Sequence, residues 1–318
     1  MKYSGIGGQA VIEGIMMMKG EDYAVAVRRP DKEIEVKKDT YQSITKKAKI
    51  LQLPFVRGVF RFADSMIIGM RRLTYSASWF EDDEDAEPGK FEQFLDRVFG
   101  EKLESAIMAA VLVISFILAI GIFMLLPLGI ANLFKGVITS DHLMAVLEGV
   151  IRIAIFIIYI KLVSRMEDIR RTFMYHGAEH KCINCVEHGH PLTVKYVRES
   201  SKEHKRCGTS FILIVMVISI LMFMVIRVDT IWMRILSRII LVPVIAGISY
   251  EVLQCAGRSN SKFMDLVSRP GMWMQGLTTK EPDDSMIEVA IAATEAVFDW
   301  REYLTENFPG WEKQLEES

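Results

Sequence analysis

Ala106–Phe134, AIMAAVLVISFILAIGIFMLLPLGIANLF, carries no charged residue from end to end. A helix needs about 20 predominantly apolar residues to cross roughly 30 Å of hydrocarbon, so this run is long enough to span a bilayer. Gly121, Pro127 and Gly129 interrupt it, and membrane helices tolerate such residues because neighbouring groups re-satisfy the freed backbone. Three further runs follow. Leu143–Val163 contains Glu148 and Arg152, four residues apart and able to neutralise one another on a helix, with Lys161 near its end. Thr209–Ile226 is uncharged. Trp232–Leu253 holds Arg234 and Arg238 near its start, Pro243 in its middle and Glu251 near its end. A composition of 51% hydrophobic residues with 19 Met agrees with a membrane protein. The expected fold is an α-helical polytopic membrane protein with about four transmembrane helices, a small N-terminal α/β cytoplasmic portion and a C-terminal amphipathic helix.

Orientation follows from the distribution of Lys and Arg, which favour the cytoplasmic side. Ser164–Gly208 carries nine of them, whereas the connection after the first span has only Lys135, and that between the third and fourth has Arg227. Both termini and the 164–208 segment are therefore expected in the cytoplasm, with the chain a multi-pass protein of the bacterial inner membrane. Ile6–Met18 is glycine-interrupted and holds Glu13, which excludes a signal-peptide reading. In a reducing compartment the four cysteines are thiols or ligands rather than disulfides. A net charge of −2 gives no reason to expect nucleic acid as a partner. The expected partners are the lipid bilayer and, beyond it, a second copy or other membrane proteins.

The chain divides into six segments. Residues 1–80 combine strands with an amphipathic helix. Gln9–Met17, Tyr23–Arg29 and Glu33–Lys37 read as strands around a Pro30-Asp31-Lys32 turn, and Ile50–Met70 has apolar residues at helical spacing. That helix lies on the membrane or packs in a core. Residues 81–104 form an acidic linker and short helix, with six acidic residues between Glu81 and Glu87. Spans one and two occupy 105–163, a His/Cys-rich loop 164–208, spans three and four 209–254, and a cytoplasmic tail 255–318. In the tail, Ser259–Pro282 reads as a polar loop. Asp283 and Asp284 then cap a helix to about Asn307, with Met286, Ile287, Val289, Ala290, Ala293, Val297 and Phe298 on one stripe. Gly5-x-Gly7-Gly8 reads as a tight turn that lets Gln9 and Glu13 approach the membrane face.

Candidate chemistry is concentrated between positions 176 and 207, which hold five of the six histidines and three of the four cysteines. His176-Gly-Ala-Glu179-His180 is an H-x-x-E-H pattern. If the second span continues as one helix, both imidazoles share a face one turn apart. They can then bind one divalent metal, expected to be zinc, while Glu179 takes a proton from water. A third ligand is required, and Glu251 and Cys207 are both placed to serve. Cys182-x-x-Cys185 with His204-x-x-Cys207 has the spacing of a closed, structural zinc ribbon. A third reading leaves these residues as hydrogen-bonded packing without metal. The glycine-rich start lacks the lysine and the strand–loop–helix setting of a phosphate loop.

Gly7-Gly-Gln-Ala-Val-Ile-Glu-Gly14, Ala24-Val-Ala-Val-Arg-Arg29, Pro54-Phe-Val-Arg-Gly58, Tyr175-His-Gly-Ala-Glu-His-Lys181, Arg206-Cys-Gly-Thr-Ser-Phe211, Gly247-Ile-Ser-Tyr-Glu251 and Gln275-x-Leu-Thr-Thr-x-Glu-Pro282 together resemble the YqhQ-like bacterial membrane proteins. The resemblance covers nearly the whole chain and implies a multi-pass architecture. That family is of unknown function and is sometimes labelled a predicted metal-dependent enzyme. Here Lys205 stands after His204 where the family pattern has proline, and Cys182 and Cys185 are not part of the pattern. The resemblance thus implies His176, Glu179, His180, His204, Cys207 and Glu251 as site residues. Two functions follow as expectations: a metal-dependent hydrolase with Glu179 as base, acting on a peptide or lipid-linked molecule, or a non-enzymatic scaffold or transport component.

Overall fold

The computed structural model describes residues 2–80, 103–226, 230–258 and 261–315. The acidic run Glu81–Glu87, the expected linker and short helix of 81–104 as far as Lys102, and Arg227 lie outside them, as does the side chain of Arg234. The chain divides into two compact units, one of Met1–Phe80, Ile160–Ser219 and Arg227–Ser318, the other of Glu81–Tyr159 and Ile220–Ile226.

The first unit is organised by an antiparallel meander of β1 (Ile6–Val11), β2 (Gly14–Lys19), β3 (Asp22–Arg28) and β4 (Ile34–Thr40), in that order. The single strand expected over Gln9–Met17 is in fact a hairpin: Val11 pairs with Gly14, and Ile12-Glu13 make the turn. Glu13 adopts a left-handed φ of 47°, unfavourable for a residue with a Cβ. Its carboxylate is held there by Arg171, with Nε–Oε1 2.5 Å and Nη2–Oε2 2.6 Å. Strands alternate their side chains between faces. Ile15, Met17 and Ala26 enter one apolar core, and Met16, Val25 and Val27 enter another. Burial on both faces explains the unbroken apolar runs GIMMM and YAVAV.

One face is covered by α5 (Glu167–Glu187) and α10 (Asp284–Val297). The other receives α1 (Val56–Ala77) from Asp64 onward: Ile68 is buried, and Asp64 accepts hydrogen bonds from Tyr41, Ser43 and Ile44 N. Phe62, Met66, Ile67 and Met70 on α1 stay exposed, so the helix has both a packed face and a bare apolar one.

Four helices are long and apolar enough to cross a membrane, and the chain is an α-helical polytopic membrane protein. The first span, Ala110–Asn132, runs through α2 (Leu103–Ile120), a widened π turn Gly121–Leu125 and α3 (Leu126–Asn132). Pro127 has no N–H and its ring crowds the carbonyl four residues back, and the widening accommodates it. The second span is α4 (Asp141–Val163). In it Arg152 Nη2 meets Glu148 Oε1 at 2.6 Å, the pairing expected from the sequence. The third is α7 (Gly208–Val225) and the fourth is Leu236–Ala256 within α8 (Ile231–Arg258). Phe116, Ile117, Val225 and Ile240 are more than half exposed, an arrangement suited to hydrocarbon and not to water.

Three expectations are corrected. The second span does not continue through the histidines. The chain turns at 164–166, and α5 starts afresh after the extended Met166, with Glu167 and Asp168 in its first turn, where the helix dipole favours acids. The segment 164–208 is thus mostly helical, with α6 at Val194–Glu199. Ser259–Pro282 contains a helix, α9 (Lys262–Thr278), with Ser261 Oγ accepting from Met264 N at 3.2 Å as its cap. The C-terminal helix is two, α10 and α11 (Trp300–Asn307), each capped by an aspartate, Asp283 and Asp299.

Candidate metal centre

Helix α5 carries the site. Its positions 176 and 180 lie one turn apart on one face, and the two imidazole centroids are 4.4 Å apart. His176 Nδ1 lies 3.1 Å from the Thr278 carbonyl, and His180 Nδ1 lies 2.6 Å from the Lys202 carbonyl. A carbonyl oxygen only accepts, so each Nδ1 carries the hydrogen and each Nε2 keeps its lone pair. This is how ligating histidines are oriented in metal sites. Gly177 makes the arrangement possible, because a Cβ there would sit 2.0 Å from the Lys280 carbonyl. Without one, the Thr278–Lys280 strip lies directly on α5, and Lys280 N donates to Phe173 O.

Cys207, just before α7, completes the group. Its Sγ is 3.2 Å from His176 Nε2 and accepts from Thr209 N at 3.4 Å. One ligand atom from each of His176, His180 and Cys207 lies within 4.8 Å of the others. Among the described residues no other set of three or more His, Cys, Asp or Glu converges in this way.

Glu179 stands beside them, buried, with Oε2 lacking any hydrogen-bond partner. Burial pushes its carboxyl above the usual range, against the opposing pull of His176 and the Gly8 N–H. Gly8 belongs to β1, and a Cβ on it would come within 2.9 Å of Glu179 Cγ and 2.6 Å of Met16 O. The glycine-rich start therefore contributes a strand position that admits the Glu179 side chain.

The remaining candidates are placed differently. His204 has its ring 5.7 Å from that of His180, but it serves another network. Its N–H donates to Gln275 Oε1, and its Nε2 is 3.6 Å from Glu187 Oε2. Burial lowers its pKa. Glu187 is fully buried, and burial alone would raise its carboxyl. His204, Arg206 and the Ser4 N–H together bring it down to about 2. Glu251, expected as the third ligand in alternation with Cys207, is not part of the group. Its oxygens accept from Arg57 Nε at 2.7 Å, Arg57 Nη2 at 2.5 Å and Phe55 N at 3.2 Å, tying α8 to the start of α1. The zinc-ribbon set does not assemble, because Cys182 and Cys185 are buried in the core shared by α5, α10 and the sheet. Burial raises both thiols, Cys185 to about 12, and Cys185 Sγ donates to the Pro191 carbonyl at 3.2 Å.

Sequence reasoning missed Glu187, Gln275 and the two carbonyls of Lys202 and Thr278. Backbone acceptors leave no signature in side-chain identity. The one available hint was the QxLTTxEP segment, which brings Gln275 and Thr278 together.

Two cavities reach the group. An inner one of about 130 Å³ is lined by His176, Glu179, His180, His204 and Cys207. An outer cleft of about 530 Å³ shares His176, Glu179 and Cys207 and extends along α1, α7 and α8.

A family described as "Protein of unknown function (DUF1385)" matches residues 53–300, a stretch that contains His176, Glu179, His180 and Cys207. The chain belongs to this family. It is also similar to "Uncharacterized protein YqhQ" of Bacillus subtilis (strain 168), 34% identical over 286 residues that cover 90% of this chain and 89% of that protein. No solved structure matches. The DUF1385 match starts at Leu53, after the sheet, so it takes in α1 and every helix that supplies a candidate ligand or base.

Proposed function

We propose that this DUF1385 protein is a metal-dependent hydrolase whose site lies at the cytoplasmic edge of the membrane. His176, His180 and Cys207 hold a divalent ion of the zinc type, and Glu179 is the general base. The observation that carries the reading is the convergence of three ligand atoms within 4.8 Å, two of them imidazole nitrogens turned inward by backbone carbonyls. Three protein donors leave a fourth position open, which distinguishes catalytic from structural zinc sites. Imidazole with thiolate favours zinc over magnesium or calcium. Tetrahedral ligands at zinc distances are about 3.5 Å apart, so the group closes by about 1 Å at its widest. The ion supplies Lewis acidity and a more acidic water. The chain supplies the rest: Glu179 would take the proton on its free Oε2, and the burial of Glu179 and His180 limits the access of bulk water.

Metal analysis of purified protein tests this. The expected result is about one zinc per chain, retained in Glu179→Gln and lost in His180→Ala, with both variants failing to complement a deletion strain. Metal-free wild type sinks the proposal. Zinc retained in a fully functional Glu179→Gln reduces the site to a structural one.

A second reading rests on Cys207 itself. Its Sγ meets His176 Nε2 and takes the Thr209 N–H, while His176 Nδ1 is anchored on Thr278. That is the geometry of a thiol nucleophile with an oriented base. Alkylation of Cys207 by iodoacetamide at neutral pH, at equal rates with and without chelator, favours this reading over the metal.

A further inference from the structure

The outer cleft carries information about what the site receives. One wall is the first turn of the third span, with Phe211 and Ile212. A second is the end of the fourth span, with Tyr250 and Leu253, and the third is the exposed side of α1, with Arg61 and Phe62. Two of these walls are thus parts of helices apolar enough to be membrane spans, at the point where those helices end, while β1 (Gly8, Gln9, Ala10) and α5 (Thr172, Phe173) line the side next to the ligand group. The apolar stripe of α1 continues past the cleft through Met66, Ile67 and Met70, all exposed. A water-soluble substrate gives no reason for such a lining, whereas an acyl chain does.

Apart from Glu179, the charged side chains on the cleft are both arginines. Arg61 makes no hydrogen bond or ion pair among the described residues and stands exposed on the wall. Arg206 also lines the cleft, but its guanidinium is engaged with Glu187 through Nη2 and stacks on Tyr3 at 4.3 Å, so it adds positive potential rather than a free donor. The one acidic side chain in the lining is Glu179, at the metal group itself. A guanidinium kept unpaired beside an apolar slot fits a phosphate or phosphodiester, which it can engage in a two-pronged, charge-assisted contact.

We propose that the cleft takes a membrane lipid with a phosphate headgroup. The acyl chain lies between α1 and the ends of the third and fourth spans, the phosphate meets Arg61 in the positive field of Arg206, and the headgroup side points to His176, Glu179 and Cys207. This rests on the hydrolase reading for the identity of the reacting centre, and the binding itself is testable without it.

The full chain, purified in a neutral maltoside detergent, is titrated with radiolabelled dodecyl phosphate. Saturable binding is expected, weakened about tenfold by Arg61→Ala and largely restored by Arg61→Lys. Inorganic phosphate is expected to compete at least tenfold less well, because it leaves the apolar walls uncovered. Binding by Arg61→Ala equal to wild type overturns the proposal. So does equal competition by inorganic phosphate, which assigns the site to soluble phosphate esters. Zinc is measured on the same samples: zinc-loaded protein that fails to bind dodecyl phosphate overturns the lipid proposal alone, and metal-free protein that binds it overturns the hydrolase reading alone.

Discussion

Glu179 and Glu187 lie on the same helix, both buried, and their surroundings drive them in opposite directions. Glu187 accepts from Ser4 N at 3.0 Å, Ser4 Oγ at 2.8 Å and Arg206 Nη2. Its folded pKa, about 2, is depressed below the ordinary 4.5. The stability it confers is therefore complete above pH 4.5 and is lost as pH falls toward 2. Thermal unfolding of wild type should show a falling midpoint between pH 5 and pH 3. Glu187→Gln should flatten that slope and cost on the order of 2 kcal/mol at neutral pH, since Arg206 loses its partner. Glu179 has the reverse sign: its folded pKa is raised, so the unfolded chain releases the proton first and stability declines as pH climbs above 4.5. Glu179→Gln should then raise the unfolding midpoint of metal-free protein at pH 7. A residue whose removal stabilises the fold while abolishing complementation is one retained for chemistry.

Among the elements, α5 is the one whose placement decides the site. It is fixed from one side by the Thr278–Lys280 strip and from another by β1, and both contacts run through glycines. Gly177→Ala would press a methyl onto the Lys280 carbonyl and cost about 1–3 kcal/mol. It should also lower zinc content, because the His176 Nδ1 contact to Thr278 moves with the strip. Helix α10 shows an ordinary stabilising device by contrast. Asp283 Oδ1 accepts from Met286 N at 3.0 Å, and Asp283→Ala should cost about 1 kcal/mol, measured by denaturant unfolding, with zinc content unchanged.

Elements also differ in how well their residues announced them. The α10 stripe of Met286, Ile287, Val289, Ala290 and Ala293 is buried as its spacing required, because a single helical period is a local property. The hairpin turn at Ile12-Glu13 was not legible: neither residue favours a left-handed turn, and what stabilises Glu13 there is Arg171, far along the chain. Helix α9 was hidden for a related reason. Its Pro270 and Gly271 look like loop residues, and Gly271 is needed because Ser210 packs against it, where a Cβ would meet Ser210 Oγ at 2.5 Å.

For the whole molecule, the excess of Lys and Arg in 164–208 over the connections at 135–140 and 227–231 predicts which surfaces face the cytoplasm. A cysteine introduced at Val137 in a Cys255→Ser background should react with a membrane-impermeant maleimide added to intact cells. One at Lys195, on α6, should react only after lysis. Labelling of both from outside would overturn the orientation and with it the cytoplasmic placement of the site.

The sequence by itself determined the four spans, because runs of about twenty predominantly apolar residues have few fates other than a membrane or a large core, and it determined which residue types could bind a metal. It put His176 and His180 on one face only on the condition that the second span continues as a helix, whereas the structure supplies that face through a separate helix, α5. Only the tertiary structure decided which third group joins them. Glu251 and Cys207 were equivalent on topology, and the choice turns on Arg57 claiming both oxygens of Glu251 while the start of α7 delivers Cys207 to His176. It likewise separated Cys182 and Cys185 from the site. Ligand convergence depends on contacts between residues distant in sequence, and no local pattern records which of several suitable side chains those contacts bring within bonding reach.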